Sequence, residues 1–265
     1  MKFKLLTLLS LISYIMISCK DVQTRIEYAG DDISDKIEIL RDKKTKIASL
    51  KVDLDEEWAL YRGDFVDSIS FKQLVMRGHG GGVFPLDVPI DRRSYFLFVT
   101  KGSKAILSES HLPMAGGYNF RDMGGIKNKD GRFVKWGKVF RADELSHLTV
   151  SDLAYLSSIP LTTVVDFRST SEIEKAPDKL PKGTVNHLLL SITPGALSGT
   201  GFEDMREHLK KVGAVEVMKD INRSLSVDPA HIEQYRRFFE ALQTDSDLPL
   251  LFHCTAGKDR TGMAA

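Results

Sequence analysis

The stretch that most constrains this chain lies near its end: Leu250-Leu251-Phe252-His253-Cys254-Thr255-Ala256-Gly257-Lys258-Asp259-Arg260-Thr261-Gly262. An apolar run of strand length feeds a short turn with one cysteine, two glycines and three charges, and helix-favouring residues follow. A strand, loop and helix start of this kind can curl so that successive backbone N–H groups face inward, which makes a cradle for an anion. A phosphate suits such a cradle. Cys254, at its rim and near the guanidinium of Arg260, is then expected to have its charged form stabilised and to act as a nucleophile at neutral pH. Gly257 gives the loop a positive φ and a close approach to a ligand. Arg260 offers a planar fork for two phosphoryl oxygens. The remaining phosphate-binding candidates are Thr255, Ala256, Lys258 and Thr261, the last with a hydroxyl that can bond to the sulfur, while His253 orients the loop rather than moving protons.

The pattern His-Cys-x-x-Gly-x-x-Arg-(Ser/Thr) resembles the signature of the cysteine-dependent protein-tyrosine-phosphatase superfamily. Its Gly-Lys-Asp-Arg-Thr-Gly version, residues 257–262, is similar to an atypical bacterial branch that acts on phosphotyrosine, phosphoserine or phosphothreonine and in some members on phosphoinositides. A second stretch, Asn119-Phe120-Arg121-Asp122-Met123-Gly124-Gly125, resembles the entry to the catalytic domain of the same phosphatases, so the likeness spans roughly residues 116–262. It implies an α/β phosphatase-type domain over 113–265, with a mainly parallel central sheet flanked by helices and no metal or other cofactor. Arg121 and Asp122 are expected to buttress the site, as an ion pair, rather than to catalyse. The reaction implied is a two-step phosphoryl transfer through a cysteinyl-phosphate, with Arg260 and the loop amides holding the equatorial oxygens.

A general acid is also needed. Many phosphatases of this superfamily carry an aspartate on a loop near residues 191–195, yet here no Asp or Glu occurs before Glu203. Asp259, inside the cradle, is therefore the first choice. Asp166, at the carboxyl end of an expected strand over 161–165, is the alternative, because the ligand crevice of an open parallel sheet lies at that edge. Its competing role is to fix a loop, paired with Arg168. Lys258 either reaches a second anionic group, which adds a phosphoinositide or polyphosphate to the phosphorylated protein that the resemblance implies as substrate, or is a solvated charge balancing Asp259. Two rival readings remain open: a binding lipoprotein with a silent cradle, and a cysteine hydrolase with His187 or His208 as base. Family members continue with further helices where this sequence stops at Ala265, so the domain is expected to be truncated at its C-terminus.

At 265 residues and 42% apolar side chains, the chain can hold one large core or two modest ones. A net charge of +1 excludes a chain built to coat nucleic acid. The first of its two cysteines, Cys19, closes a segment with a short basic start and an apolar core over 5–17, shorter than the roughly 20 residues of a spanning helix. Met16-Ile17-Ser18-Cys19 resembles a bacterial lipoprotein box. Residues 1–19 thus read as a signal whose cysteine is lipidated, 20–36 as a polar tether, and the body as an exported, membrane-anchored protein of the cell envelope.

Six short strands, over 37–40, 47–52, 58–62, 71–76, 83–88 and 95–99, suggest a small all-β, sandwich-like accessory domain over 37–112. Within it Gly80-Gly81-Gly82 reads as a hairpin or bulge and Asp91-Arg92-Arg93 as a solvated turn. Further on, Thr149 with Asp152 makes a capping box for a helix through residue 158. A strand is expected over 185–190. Residues 202–225 have helical composition broken at Gly213, as a lid or a packed pair, and Ile232, Tyr235, Phe239 and Leu242 form an apolar helical stripe after Pro229.

Overall fold

The computed structural model describes residues 32–42, 44–193 and 202–265. The expected signal with Cys19, most of the tether, and residues 194–201 of the loop that lacks an acidic residue lie outside the described residues. Among those described, no helix is long and apolar enough to cross a membrane.

The front of the chain forms two antiparallel sheets. Strands β1 (Ile37–Arg41), β2 (Ala48–Val52) and β5 (Gly82–Leu86) pair in the order β1-β2-β5. The second sheet joins β3 (Glu57–Gly63), β4 (Leu74–His79), β6 (Tyr95–Thr100) and β7 (Lys104–Ser108) in the order β4-β3-β6-β7. Alternation along β1 sends Ile37 and Ile39 inward and Glu38 and Leu40 outward, as a strand with one wet face requires. Both sheets feed one apolar core: Ile39, Leu50 and Val52 from the first, Trp58, Leu60, Phe96 and Phe98 from the second. Trp58 stacks on Phe98 with centroids 5.4 Å apart.

Three local expectations need correction here. Gly80-Gly81-Gly82 is neither hairpin nor bulge, because β4 pairs with β3 while β5 pairs with β2. The chain changes sheets there, and Gly80, at φ +73°, turns the corner. The strand expected over 71–76 begins at Leu74, with Phe71 in an exposed turn and its ring 4.9 Å from that of Tyr61. The sequence reading also missed β7, which returns beside β6 across the Lys101-Gly102 turn.

The rest of the chain builds a five-stranded sheet from β8 (Arg121–Asp122), β9 (Val139–Ala142), β10 (Thr163–Asp166), β11 (Asn186–Leu189) and β12 (Leu250–His253). Its order is β11-β10-β12-β9-β8, parallel throughout except for β8. Helices α1 (Val150–Ser157), α2 (Thr170–Lys175), α3 (Phe202–Val212), α4 (Ala214–Val227), α5 (Pro229–Leu242) and α6 (Asp259–Ala264) complete it. Every residue of β10 and β12 is buried, because apolar groups cover both faces. On one face Phe140, Val164 and Leu251 meet Tyr155 and Leu156 of α1. On the other Val165, Leu250 and Phe252 meet Val217 and Ile221 of α4 and Tyr235 and Phe238 of α5.

The capping box forms, with Asp152 N–H donating to Thr149 Oγ1 at 3.2 Å and Thr149 N–H to Asp152 Oδ2 at 3.0 Å. Gly213, at φ +84°, separates α3 from α4. The stripe of α5 is rotated from the expected one: His231, Tyr235, Phe238 and Ala241 are buried, while Ile232 and Phe239 stay about half exposed. Asp228 caps this helix through Ala230 N–H, which fixes where its register starts.

Arg93 supplies the largest surprise. Instead of a solvated turn residue, it is fully buried, and its Nη2 donates to Asp122 Oδ2 at 2.8 Å and to the Glu109 carbonyl at 2.7 Å. The pair ties the front sheets to β8. Asp122 therefore pairs with Arg93 and not with Arg121, whose guanidinium reaches Asn119 Oδ1 at 3.2 Å.

Candidate active site

The carboxyl ends of β9, β10 and β12 finish level, with Asp166, His253 and Ala142 in one register row. Cys254 and the loop to Lys258 leave from the middle of that edge, between Asp143 and Phe167 on its two sides. The sequence reading placed the ligand crevice at this edge.

Cys254 is the free cysteine of the described residues, and it is buried. Gly257, at φ +65°, holds the loop against β9, where a side chain would meet the Ala142 carbonyl at 2.5 Å. Three successive loop carbonyls are tied outward. Thr255 O accepts from Glu144 N–H at 3.2 Å, Ala256 O from Asn119 Nδ2 at 2.9 Å and Gly257 O from Arg141 Nη2 at 2.7 Å. The resembling motif thus does buttress the loop, through Asn119. Asp143 holds that segment in place by accepting from the N–H groups of Tyr118 and Asn119.

Arg260, in the first turn of α6, is half-buried, and its charge is favoured against burial by Glu172 and by Cys254. Glu172 was not foreseen. Its two carboxylate oxygens accept from Arg260 Nη1 and Nη2, each at 2.8 Å, and from Thr255 Oγ1 at 2.5 Å. Ser169 N–H and Oγ also donate to it at 2.9 Å, because Ser169 and Glu172 form the capping box of α2. Burial pushes the Glu172 carboxyl up, but the hydrogen bonds from Arg260 and Thr255 outweigh it and hold the group well below the usual carboxylate range. Both Nη groups of Arg260 are engaged in this way, since Nη2 also donates to Thr255 Oγ1 at 3.1 Å. Tyr235, a core residue of α5, donates its hydroxyl to the Arg260 carbonyl at 3.2 Å.

Beneath the loop lies a buried ionic cluster. Asp166 is closed in a bidentate pair with Arg168, whose Nη2 also lies 2.8 Å from Asp178 Oδ1. His253 Nε2 stands 3.0 Å from Asp178 Oδ2, and its Nδ1 stands 3.3 Å from the Cys254 carbonyl oxygen. Burial pushes the Asp178 carboxyl up, yet His187, His253 and Arg168 together hold it well below the usual range. Asp166, Asp178 and His253 are close enough to ligate a cation, but the Arg168 guanidinium already lies between the two carboxylates, and like charge there disfavours a metal ion. Asp166 thus occupies the loop-fixing role weighed against its use as an acid. His187 is bound up in the same cluster.

Asp259 opens α6, exposed, with no side-chain partner among the described residues. Lys258 beside it is exposed as well. Thr261 is fully buried, and its hydroxyl lacks a hydrogen-bond partner among the described residues, so the expected bond to the sulfur is not formed.

Comparison with known proteins agrees with this geometry. A family model described as the tyrosine phosphatase family matches residues 112–265. A protein of Cupriavidus necator that carries the name of a tyrosine-protein phosphatase is 33% identical over 149 residues, covering 56% of this chain and 52% of its own. The triple specificity protein phosphatase of Mycobacterium tuberculosis is 29% identical over 167 residues, covering 56% and 59%. The chain spans about half the length of the curated relatives it matches.

Proposed function

Because the chain belongs to the tyrosine phosphatase family, we propose that it hydrolyses phosphotyrosine monoesters through a phosphate carried on Cys254. The observation that carries this reading is the placement of Cys254 beside Arg260, under a loop whose carbonyls are drawn away from its concave side. Phosphoserine, phosphothreonine and phosphoinositides are further substrates consistent with the exposed Lys258 and with the triple specificity named for the mycobacterial relative.

In the first step the Cys254 thiolate attacks phosphorus, the S–P bond forms, and the bond to the leaving oxygen breaks. Asp259 gives that oxygen its proton. Water then attacks phosphorus and returns a proton to Asp259, the S–P bond breaks, and inorganic phosphate leaves. Arg260 and the loop amides carry the charge of the equatorial oxygens in both steps. Asp259 takes the acid role over Asp166 because its carboxyl is open at the cradle, whereas Asp166 is locked to Arg168. The front sheets with their separate core act as an accessory domain, and a lipid on Cys19 would hold the body at the cell envelope.

Replacing Asp259 by Asn tests the assignment. Turnover of a phosphoserine peptide, a poor leaving group, should fall by about a hundredfold or more, while hydrolysis of nitrophenyl phosphate should fall far less. The same pattern from Asp166→Asn instead would move the acid role to Asp166. A phosphotyrosine peptide and a phosphoinositide left equally untouched by the unaltered chain would remove the phosphatase reading.

A further inference from the structure

The reaction needs amides that point at the phosphate, and the structure contains a device that aims them. A peptide unit is planar and trans, so its C=O and N–H point in opposite directions. Tying the Thr255 carbonyl to Glu144 N–H turns the Ala256 N–H to the other side of the loop. Asn119 does the same for the Gly257 N–H by holding the Ala256 carbonyl, and Arg141 does it for the Lys258 N–H by holding that of Gly257. None of the N–H groups of Ala256, Gly257 and Lys258 donates to a partner among the described residues. Unpaired backbone donors in a row, all turned to one side, are what an anion would satisfy.

Arg141 is the costliest of the three tethers. It sits in β9 directly across from Arg121 of β8, and like charges opposed on neighbouring strands are unfavourable. Burial and the charge of Arg121 both act against its guanidinium, and the nearby Cys254 favours it. Its guanidinium makes one hydrogen bond among the described residues, from Nη2 to the Gly257 carbonyl at 2.7 Å, and a side chain at Gly262 of α6 would meet that Nη2 at 3.8 Å. A neutral donor would satisfy that carbonyl at lower cost.

We infer that Arg141, with Asn119, is a positioning residue that aims the loop amides at the phosphoryl oxygens and adds positive charge near Cys254 through the loop it holds. This inference rests on the phosphatase reading above. Neither residue touches substrate; both act through the peptide planes they hold. Glu144 contributes only its backbone and cannot be tested by side-chain replacement.

The test compares the unaltered chain with Arg141→Gln, Arg141→Lys and Asn119→Ala. Three quantities are read: inhibition by inorganic phosphate, inhibition by orthovanadate, and the rate of Cys254 alkylation by iodoacetamide at neutral pH. Arg141→Gln should weaken both anions by about tenfold and slow alkylation, since one aimed amide and one charge are lost. Arg141→Lys should recover alkylation, through the retained charge, more than anion binding. Asn119→Ala, at a half-buried side chain that tolerates removal more readily, should weaken the anions and leave alkylation nearly unchanged.

A folded Arg141→Gln or Asn119→Ala chain that binds phosphate and vanadate as tightly as the unaltered one overturns the inference. A loss of thermal stability with the anion constants unmoved does so too, because it marks a role in folding alone. Failure of the underlying reading looks different: the unaltered chain itself would neither bind the anions nor turn over a phosphomonoester.

Discussion

The two halves of the molecule handle buried polarity in opposite ways. In the front sheets the shared core is apolar throughout, and the buried charges gather at the margin: Arg41 with Glu109, and Arg93 with Asp122. In the five-stranded sheet, Asp166, Arg168, Asp178 and His253 lie buried directly under the loop that carries Cys254. Apolar packing alone can hold the first region together. The second accepts the desolvation of several charges, which stabilises little by itself but fixes one geometry for the cradle. The contrast teaches that the front is built for stability and the back for position, with Arg93–Asp122 as the join.

The largest effect should follow from breaking that join. Arg93→Met leaves the Asp122 carboxylate buried without its cation, although the N–H groups of Gly124 and Gly137 still donate to it. Removing one member of a buried pair costs about 3–5 kcal/mol, so the urea midpoint should fall accordingly. Should the front sheets unfold in a separate transition with turnover preserved, the join is not what couples the halves. A loss under about 1 kcal/mol would also break the comparison, for it would put the pair among ordinary surface ones.

A smaller effect, on rate rather than stability, is expected at Glu172. Glu172→Gln keeps the shape but loses the charge that holds the Arg260 fork, and kcat should drop by roughly tenfold with KM changed little. Its pH dependence sharpens the point. The folded carboxyl sits below its unfolded value, so its contribution to stability is complete at neutral pH and is lost only as pH falls through the depressed folded value. The stability difference between the unaltered chain and Glu172→Gln should therefore persist through mildly acidic pH and close in strong acid. A gap that closes already near the ordinary carboxylate range would contradict the tight Glu172–Arg260 pairing.

How much of this the sequence disclosed follows the range of each interaction. Cys254, Gly257 and Arg260 stand within one short segment, and their spacing alone implies the loop. The α1 capping box and the break at Gly213 were legible for the same reason, being set by residues a few positions apart. Glu172 reaches Arg260 across 88 positions and Asn119 reaches Ala256 across 137, and no local pattern signals such contacts. A partial signal existed for Glu172, since Ser169-x-x-Glu172 is a capping box that begins at the carboxyl edge of β10. Arg93 misled because a run of three charged residues reads as a wet turn, and only the fold reveals that Asp122 lies within reach of it. The α5 stripe failed by a fraction of a turn, since both candidate faces carry aromatic residues and tertiary packing chose between them.

The central claim is that the Cys254 sulfur takes the phosphate. The most direct measurement mixes the chain with a phosphotyrosine substrate, quenches with acid within the first turnovers, and locates phosphate by peptide mass spectrometry. The account predicts a phosphate on Cys254, with turnover abolished by Cys254→Ser. Sustained turnover with Cys254 unmodified throughout, or turnover that survives Cys254→Ser, would contradict it.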